Sequence, residues 1–279
     1  MKKIYQRTFE ILSKSLGAPM RVDVFHPVDF DLNQFYPLVL LNDGQDMEAI
    51  ELGRTLFELW RDGHCVPFVV AAVHAYKRMD TYGVAGLPDY KGRGGLAWKY
   101  SRFIVDECLP FLKKQIRVHG FSEHIIGGFS LGGLSAFDIA WHHPQHFSTV
   151  MAASPSFWWR SKDLMMGYTD ADRIIHQVVQ KAPAKPRLRI WIQVGTLDET
   201  ADRNLNGIID SLDDARDLVK ELINHGFKLG SDLHYFELHG GRHTMETYGI
   251  VLPIFIKWAL APINVSSNQA LTKGPFLIK

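Results

Sequence analysis

The chain has 279 residues, 46% of them apolar, and a formal net charge of +1. That length and composition suffice for a sizeable core in one domain, while the near-zero charge offers no basic field for nucleic acid or an anionic membrane. No apolar run is long enough to span a bilayer, Cys65 and Cys108 fit neither a disulfide framework nor a metal-ligand spacing, and the first ten residues lack the apolar core of a signal peptide, so a cytoplasmic location is expected.

Two strands are predicted at 4–12 and 20–25, joined by a short turn, and a third at 35–41 is apolar enough to be central. Asn42, Asp43, Gly44 and Gln45 make a turn. A helix over 51–60 and an apolar, β-branched strand over 67–73 follow. A polar loop over 76–95 holds five glycines. Residues 97–115 read as one amphipathic helix, with Phe103, Ile104, Cys108, Leu109 and Leu112 on one face. His124, Ile125 and Ile126 lie in a strand, residues 134–141 in a helix. Strands are predicted over 148–153, 187–194 and 233–238, and helices over 213–224 and 245–260.

Such alternation implies a mostly parallel central sheet of about eight strands, with helices on both faces and an antiparallel N-terminal edge. No linker divides the chain. One domain is expected over 1–262, with 158–186 as a small cap segment and 263–279 as a tail.

Gly128, Ser130 and Gly132 form a G-x-S-x-G between a strand and a helix. This is the context of a nucleophile elbow, a sharp turn that lifts the serine hydroxyl off the end of a sheet. Glycines flank the serine because side chains there would collide across the turn. Such sheets gather functional groups at the carboxyl ends of their strands. Asp198 follows the strand over 187–194, with Glu199 as the alternative acid. His243 follows the last strand and a Gly-Gly pair, with His239 as the alternative base. A serine hydroxyl is a poor nucleophile at neutral pH, so an imidazole must take its proton, and a carboxylate must orient the ring. The backbone N–H groups of Leu131 and Gln45 are the candidate oxyanion donors.

These residues occur in the chain order Ser, acid, His of the α/β-hydrolase triad. With SKSLG at 13–17, LLNDGQ at 40–45, GFSLGG at 128–133, ASPSFWW at 153–159, GTLD at 195–198 and GGRH at 240–243, the chain resembles the esterase D and enterochelin-esterase-like group of α/β-hydrolases over roughly residues 4–260. The resemblance implies the α/β-hydrolase fold and carboxylic-ester hydrolysis through an acyl-enzyme on Ser130, Asp198 and His243, with no cofactor required for catalysis. The expected partner is a small-molecule ester. The alternatives are an acyltransferase using the same triad and a non-catalytic binding module retaining the fold.

Trp158 and Trp159 follow the strand after the elbow, and adjacent residues cannot share a face. One is expected to line the acyl or alcohol pocket and one to enter the core. Tyr82 and Tyr90, in the glycine-rich loop, are expected to overhang the same cleft. An aromatic wall suits an aromatic or bulky apolar acyl group. Arg78, Arg93, Arg160 and Arg242 are candidates for a basic pocket.

Asp202, Asn204, Asn206, Asp210 and Asp213 stand at positions one, three, five, nine and twelve of an EF-hand-type loop, with Gly207 at six and Ile209 at eight. Asp at twelve, in place of Glu, shortens the reach, and no helix precedes the loop. A structural calcium ion is one expectation. An Asn/Asp/Gly loop capping the helix that starts near Ser211 is the other.

Overall fold

A computed structural model of the chain describes residues 4–31, 33–63 and 65–261; the expected tail over 263–279 lies outside them. The strands are β1 (Ile4–Ser13), β2 (Ala18–Pro27), β3 (Phe35–Asn42), β4 (Val69–Val73), β5 (Gly120–Phe129), β6 (Thr149–Ala153), β7 (Arg189–Leu197) and β8 (Leu233–Arg242). They form one sheet in the order β1-β2-β4-β3-β5-β6-β7-β8. β1 and β2 pair antiparallel, and β2 joins β4 antiparallel. From β4 to β8 every neighbouring pair is parallel. This is the α/β-hydrolase arrangement with its antiparallel N-terminal edge.

Helices cover both faces, which is why the inner strands are mostly apolar. Leu38 and Leu40 of β3 face a core shared with α3 (Ala97–Arg102), α4 (Leu109–Gln115), α5 (Leu131–His142), α6 (Ile174–Gln180) and α7 (Asp210–Asn224). Val39 and Leu41 point the other way, to α1 (Leu52–Asp62) and α8 (Met245–Ala259). The period of two along a strand splits one apolar run between two cores.

The predicted helix over 97–115 is interrupted. Between α3 and α4 the backbone widens into a π turn over Phe103–Cys108, and the Leu109 N–H reaches the carbonyl of Ile104. Pro110 explains it: proline has no N–H to give, and its ring would strike the carbonyl of Asp106 in regular α geometry.

The glycine-rich loop is not a loose overhang. It contains a one-turn helix, α2 (Arg78–Thr81), and is fastened to α5. Ser135 Oγ accepts the Gly83 N–H at 2.8 Å and Asp138 Oδ2 accepts the Ala85 N–H at 2.9 Å. The Trp159 indole N–H donates to the Leu87 carbonyl at 3.2 Å. Gly83 and Gly94 both have positive φ, and a Cβ on either would lie 2.8 Å from the Trp159 ring. The loop closes around that indole.

The segment over 158–186 docks through α6 onto α7. Arg173, just before α6, donates to Asp214 at 2.7 Å and Asp217 at 2.8 Å. His176 is buried and donates Nε2–H to the Asp214 carbonyl at 2.8 Å. Burial, with Arg173 adding to it, pushes the His176 imidazole down to about 3. A histidine held neutral in the fold but free to charge when unfolded stabilises the protein fully above the unfolded value of about 6.5 and loses that contribution as pH falls below it. Relative to His176→Leu, the wild-type protein should therefore lose stability on acidification from about pH 6.5 toward about 3, with a limiting slope of about 1.4 kcal/mol per pH unit. Urea unfolding of both proteins across that range measures the difference; parallel curves would refute it.

Candidate active site

Parallel strands bring their carboxyl ends to one rim, and neighbours in space can be far apart in sequence. The ends of β3, β5, β6, β7 and β8 carry Asn42, Ser130, Ser154, Asp198 and His243 onto that rim. Ser130 adopts φ 57 and ψ −124, a strained region for a residue with a side chain. Close packing enforces it: a Cβ on Gly128 would run into the backbone of Gly132. The carbonyl of Ala153 accepts the Ser130 N–H at 2.9 Å, and the Ser130 carbonyl accepts the Ser156 N–H at 3.1 Å. The turn is thus tied to the end of β6.

His243 Nε2 lies 2.9 Å from Ser130 Oγ, across 113 positions of sequence. Its ring packs against Phe129 at 4.6 Å between centroids. The loop that carries it is fixed on both sides: Thr196 Oγ1 accepts the Gly240 N–H at 2.9 Å, and Thr247 Oγ1 accepts the Arg242 N–H at 3.1 Å. Partial withdrawal from water lowers the proton affinity of His243 below the ordinary histidine value; Asp198 opposes this shift and Arg78 adds to it. His239, the alternative base, is exposed.

Asp198 Oδ2 accepts the Gly195 N–H at 3.0 Å. Oδ1 is buried and has no hydrogen-bond partner among the described residues. Burial raises this carboxyl above the usual range, while the Ser154 hydroxyl, the Gly195 N–H and His243 pull it down. Asp198 therefore reaches His243 through its field, with no hydrogen bond between them. Gly195 makes the close approach possible, since a Cβ there would strike Asp198 and Gly241. Glu199 turns away and accepts the Ser211 N–H at 2.6 Å, at the start of α7.

Leu131 opens α5, where a backbone N–H has no intrahelical partner. Gln45 sits in a 3-10 turn over Gly44–Asp46. Its side chain is engaged at both ends, accepting the Ala75 N–H and donating to Asp43 Oδ1, both at 3.0 Å. Gly44 admits no side chain: a Cβ would meet the His74 ring at 2.6 Å and the Ala72 carbonyl at 2.7 Å.

One aromatic expectation needs correction, and of the adjacent tryptophans it is Trp159 that enters the core. Tyr82 does not line a cleft. It is fully buried, and its hydroxyl accepts the Asp43 N–H at 3.1 Å. Trp159 is fully buried as well, enclosed by the glycine-rich loop. Trp158 is half-buried, with the Arg93 guanidinium 5.1 Å over its ring. Of the four arginines, Arg78 is forked onto Asp43 and Arg93 onto Asp89. Arg160 lies over the rings of Tyr90, Trp158 and Tyr168, and Arg242 is exposed.

Sequence reasoning missed the network beneath the turn after β3. Asn42, fully buried, donates Nδ2–H to the Gly132 carbonyl at 2.8 Å and accepts the Tyr100 hydroxyl at 2.6 Å. The available signal was a polar residue ending an otherwise apolar strand.

In the 202–213 loop, Asp202 accepts the N–H groups of Asn206 and Gly207, and Asp213 Oδ2 accepts the side-chain amides of Asn204 and Asn206. Asp210 instead accepts the Arg203 N–H and pairs with its guanidinium. Among the described residues no group of three or more His, Cys, Asp or Glu is placed to hold a metal ion, and no helix is long and apolar enough to cross a membrane.

Comparison with known proteins adds family membership. The model of the family described as "Putative esterase" matches residues 13–253. A siderophore enterobactin esterase from Emericella nidulans is 33% identical over 110 residues, covering 39% of this chain and 35% of that protein. An iron(III) salmochelin esterase from Escherichia coli is 26% identical over 195 residues, covering 65% of this chain and 44% of that protein. The matches thus span under half the length of these curated relatives. A solved ferulic acid esterase superposes with a TM-score of 0.69 at 19% identity, covering 93% of this chain and 99% of that one, a likeness of fold. The chain belongs to this esterase family, and its sheet has the α/β-hydrolase fold.

Proposed function

We propose that the protein is a serine carboxylic-ester hydrolase that works through an acyl-enzyme. The 2.9 Å approach of His243 Nε2 to Ser130 Oγ carries the reading, because a nucleophile and its base must meet within hydrogen-bonding reach. Ser130 Oγ attacks the acyl carbon while His243 Nε2 takes the hydroxyl proton. The Asp198 carboxylate stabilises the imidazolium that results. The N–H groups of Leu131 and Gln45 bind the oxygen that becomes negative. Collapse breaks the ester C–O bond, and His243 returns the proton to the departing alcohol. Water then enters, loses a proton to His243 and releases the acid, restoring Ser130. Every step uses protein groups, substrate and water.

Relatives named for siderophores and for ferulic acid put lactones and aromatic acyl esters first among substrates to try, and half-buried Trp158 is the aromatic wall proposed to meet them. Calcium is proposed only as a support for the loop after Asp198. Calorimetry on chelator-treated protein should show heat at or below millimolar calcium if the 202–213 loop is a metal site; no heat leaves it a capping loop.

Ser130→Ala should lower kcat by at least ~10³-fold and abolish labelling by a fluorophosphonate probe; labelling that survives would mean a different serine reacts. A base must be neutral to accept a proton, and His243 is held below the ordinary value. The acid limb of kcat/KM should therefore have its midpoint below about pH 6.5, with activity falling as pH drops through it. A midpoint well above that value would contradict the assignment of His243.

A further inference from the structure

The turn after β3 is held far more firmly than an ordinary turn requires. Asp43 is buried and sits at φ 61, a left-handed conformation in which a residue other than glycine is uncommon. Its carboxylate accepts a two-pronged donation from Arg78, Nε to Oδ1 at 2.8 Å and Nη2 to Oδ2 at 2.9 Å. Gln45 Nε2 adds a third bond at 3.0 Å. On its other side this carboxylate faces the first turn of α5: a Cβ on Gly132 would lie 2.5 Å from Asp43 Oδ2. Asn42 bonds the Gly132 carbonyl from the same side. The ion pair thus fastens the turn carrying Gln45 to α2, and the Asn42 bond ties the same turn to the first turn of α5.

We propose that Asp43 and Arg78 are positioning residues, whose ion pair fixes the turn after β3 where its Asp43 carboxylate sits against Gly132 of α5, so that the N–H groups of Gln45 and Leu131 keep their places beside Ser130. This rests on the serine-hydrolase reading above. A forked guanidinium–carboxylate pair fixes distance and orientation together, which a single lysine contact cannot do. Such rigidity matters at an oxyanion site, because donors that must reorganise during the reaction lose much of their value.

The charges around His243 make the arrangement readable in a pH profile. The Asp198 carboxylate raises the proton affinity of the imidazole and the Arg78 cation lowers it, while Phe129 and Ser130, which touch the ring, carry no charge. Arg78 is in turn opposed by Asp43 and Asp46. Arg78→Met removes the cation and should move the acid limb of kcat/KM to higher pH. Asp43→Asn leaves the cation opposed by Asp46 without its forked partner and should move that limb to lower pH. Both variants should lower kcat at its optimum by about 10- to 100-fold, with KM for a small p-nitrophenyl ester within about threefold of wild type. Arg78→Lys keeps the charge but loses the fork. Its limb should stay in place while kcat falls about tenfold.

Thermal unfolding and circular dichroism of each variant show whether it is folded, and Arg78→Lys remains informative should either charge-removing variant fail to fold. Limbs that stay fixed or move in the same direction in Arg78→Met and Asp43→Asn overturn the proposal, as does full kcat in Arg78→Lys. Failure of the underlying reading looks different: wild-type protein would then not be labelled at Ser130 by a fluorophosphonate.

Discussion

The site depends on a steric constraint a few ångströms across. Where β5 meets α5, a Cβ on Gly128 would strike the backbone of Gly132 and one on Gly132 would strike the Asp43 carboxylate, and Ser130 between them is held at positive φ. That conformation costs of order 1–3 kcal/mol, which packing of the sheet and both cores offsets. Its return is geometric. The hydroxyl leaves the end of β5 toward β8, where His243 is waiting at 2.9 Å.

Around that constraint the fold sets charges at graded depth. Asp198 is drawn out of water next to β7 and acts on His243 through the field alone. A buried carboxylate with one oxygen unpaired is poorly stabilised in the resting state. It gains most when the imidazole becomes positive, which is the moment of serine attack in the proposed reaction. Arg78 works in the opposite sense on the same ring, and Asp43 limits its reach.

Much of this architecture was legible in the chain. Apolar runs for the inner strands, the alternation of strand and helix, and G-x-S-x-G at the junction are local patterns, and local patterns survive folding. The aromatic residues were harder. Tyr82 lies in a stretch rich in glycine and charge, the composition of an exposed loop. Those glycines serve a different end: at 83 and 94 they make room for the Trp159 indole, so the loop has an interior and Tyr82 belongs to it. The helix over 97–115 was read correctly in extent, and Pro110, a local breaker already present in the sequence, widens it into the π turn.

The sequence by itself determined that a strained serine would stand at the end of a parallel sheet, because steric rules at glycine and periodicity along strands are properties of a few consecutive residues. It also nominated Asp198 and His243 by their place after strands. Only the tertiary structure decided which partners meet: that Glu199 turns to α7, that Asp43 is seized by Arg78, and that Asn42 binds Gly132 ninety positions away. Such pairings follow from strand order and helix docking, which bring together residues whose separation along the chain carries no trace of their proximity.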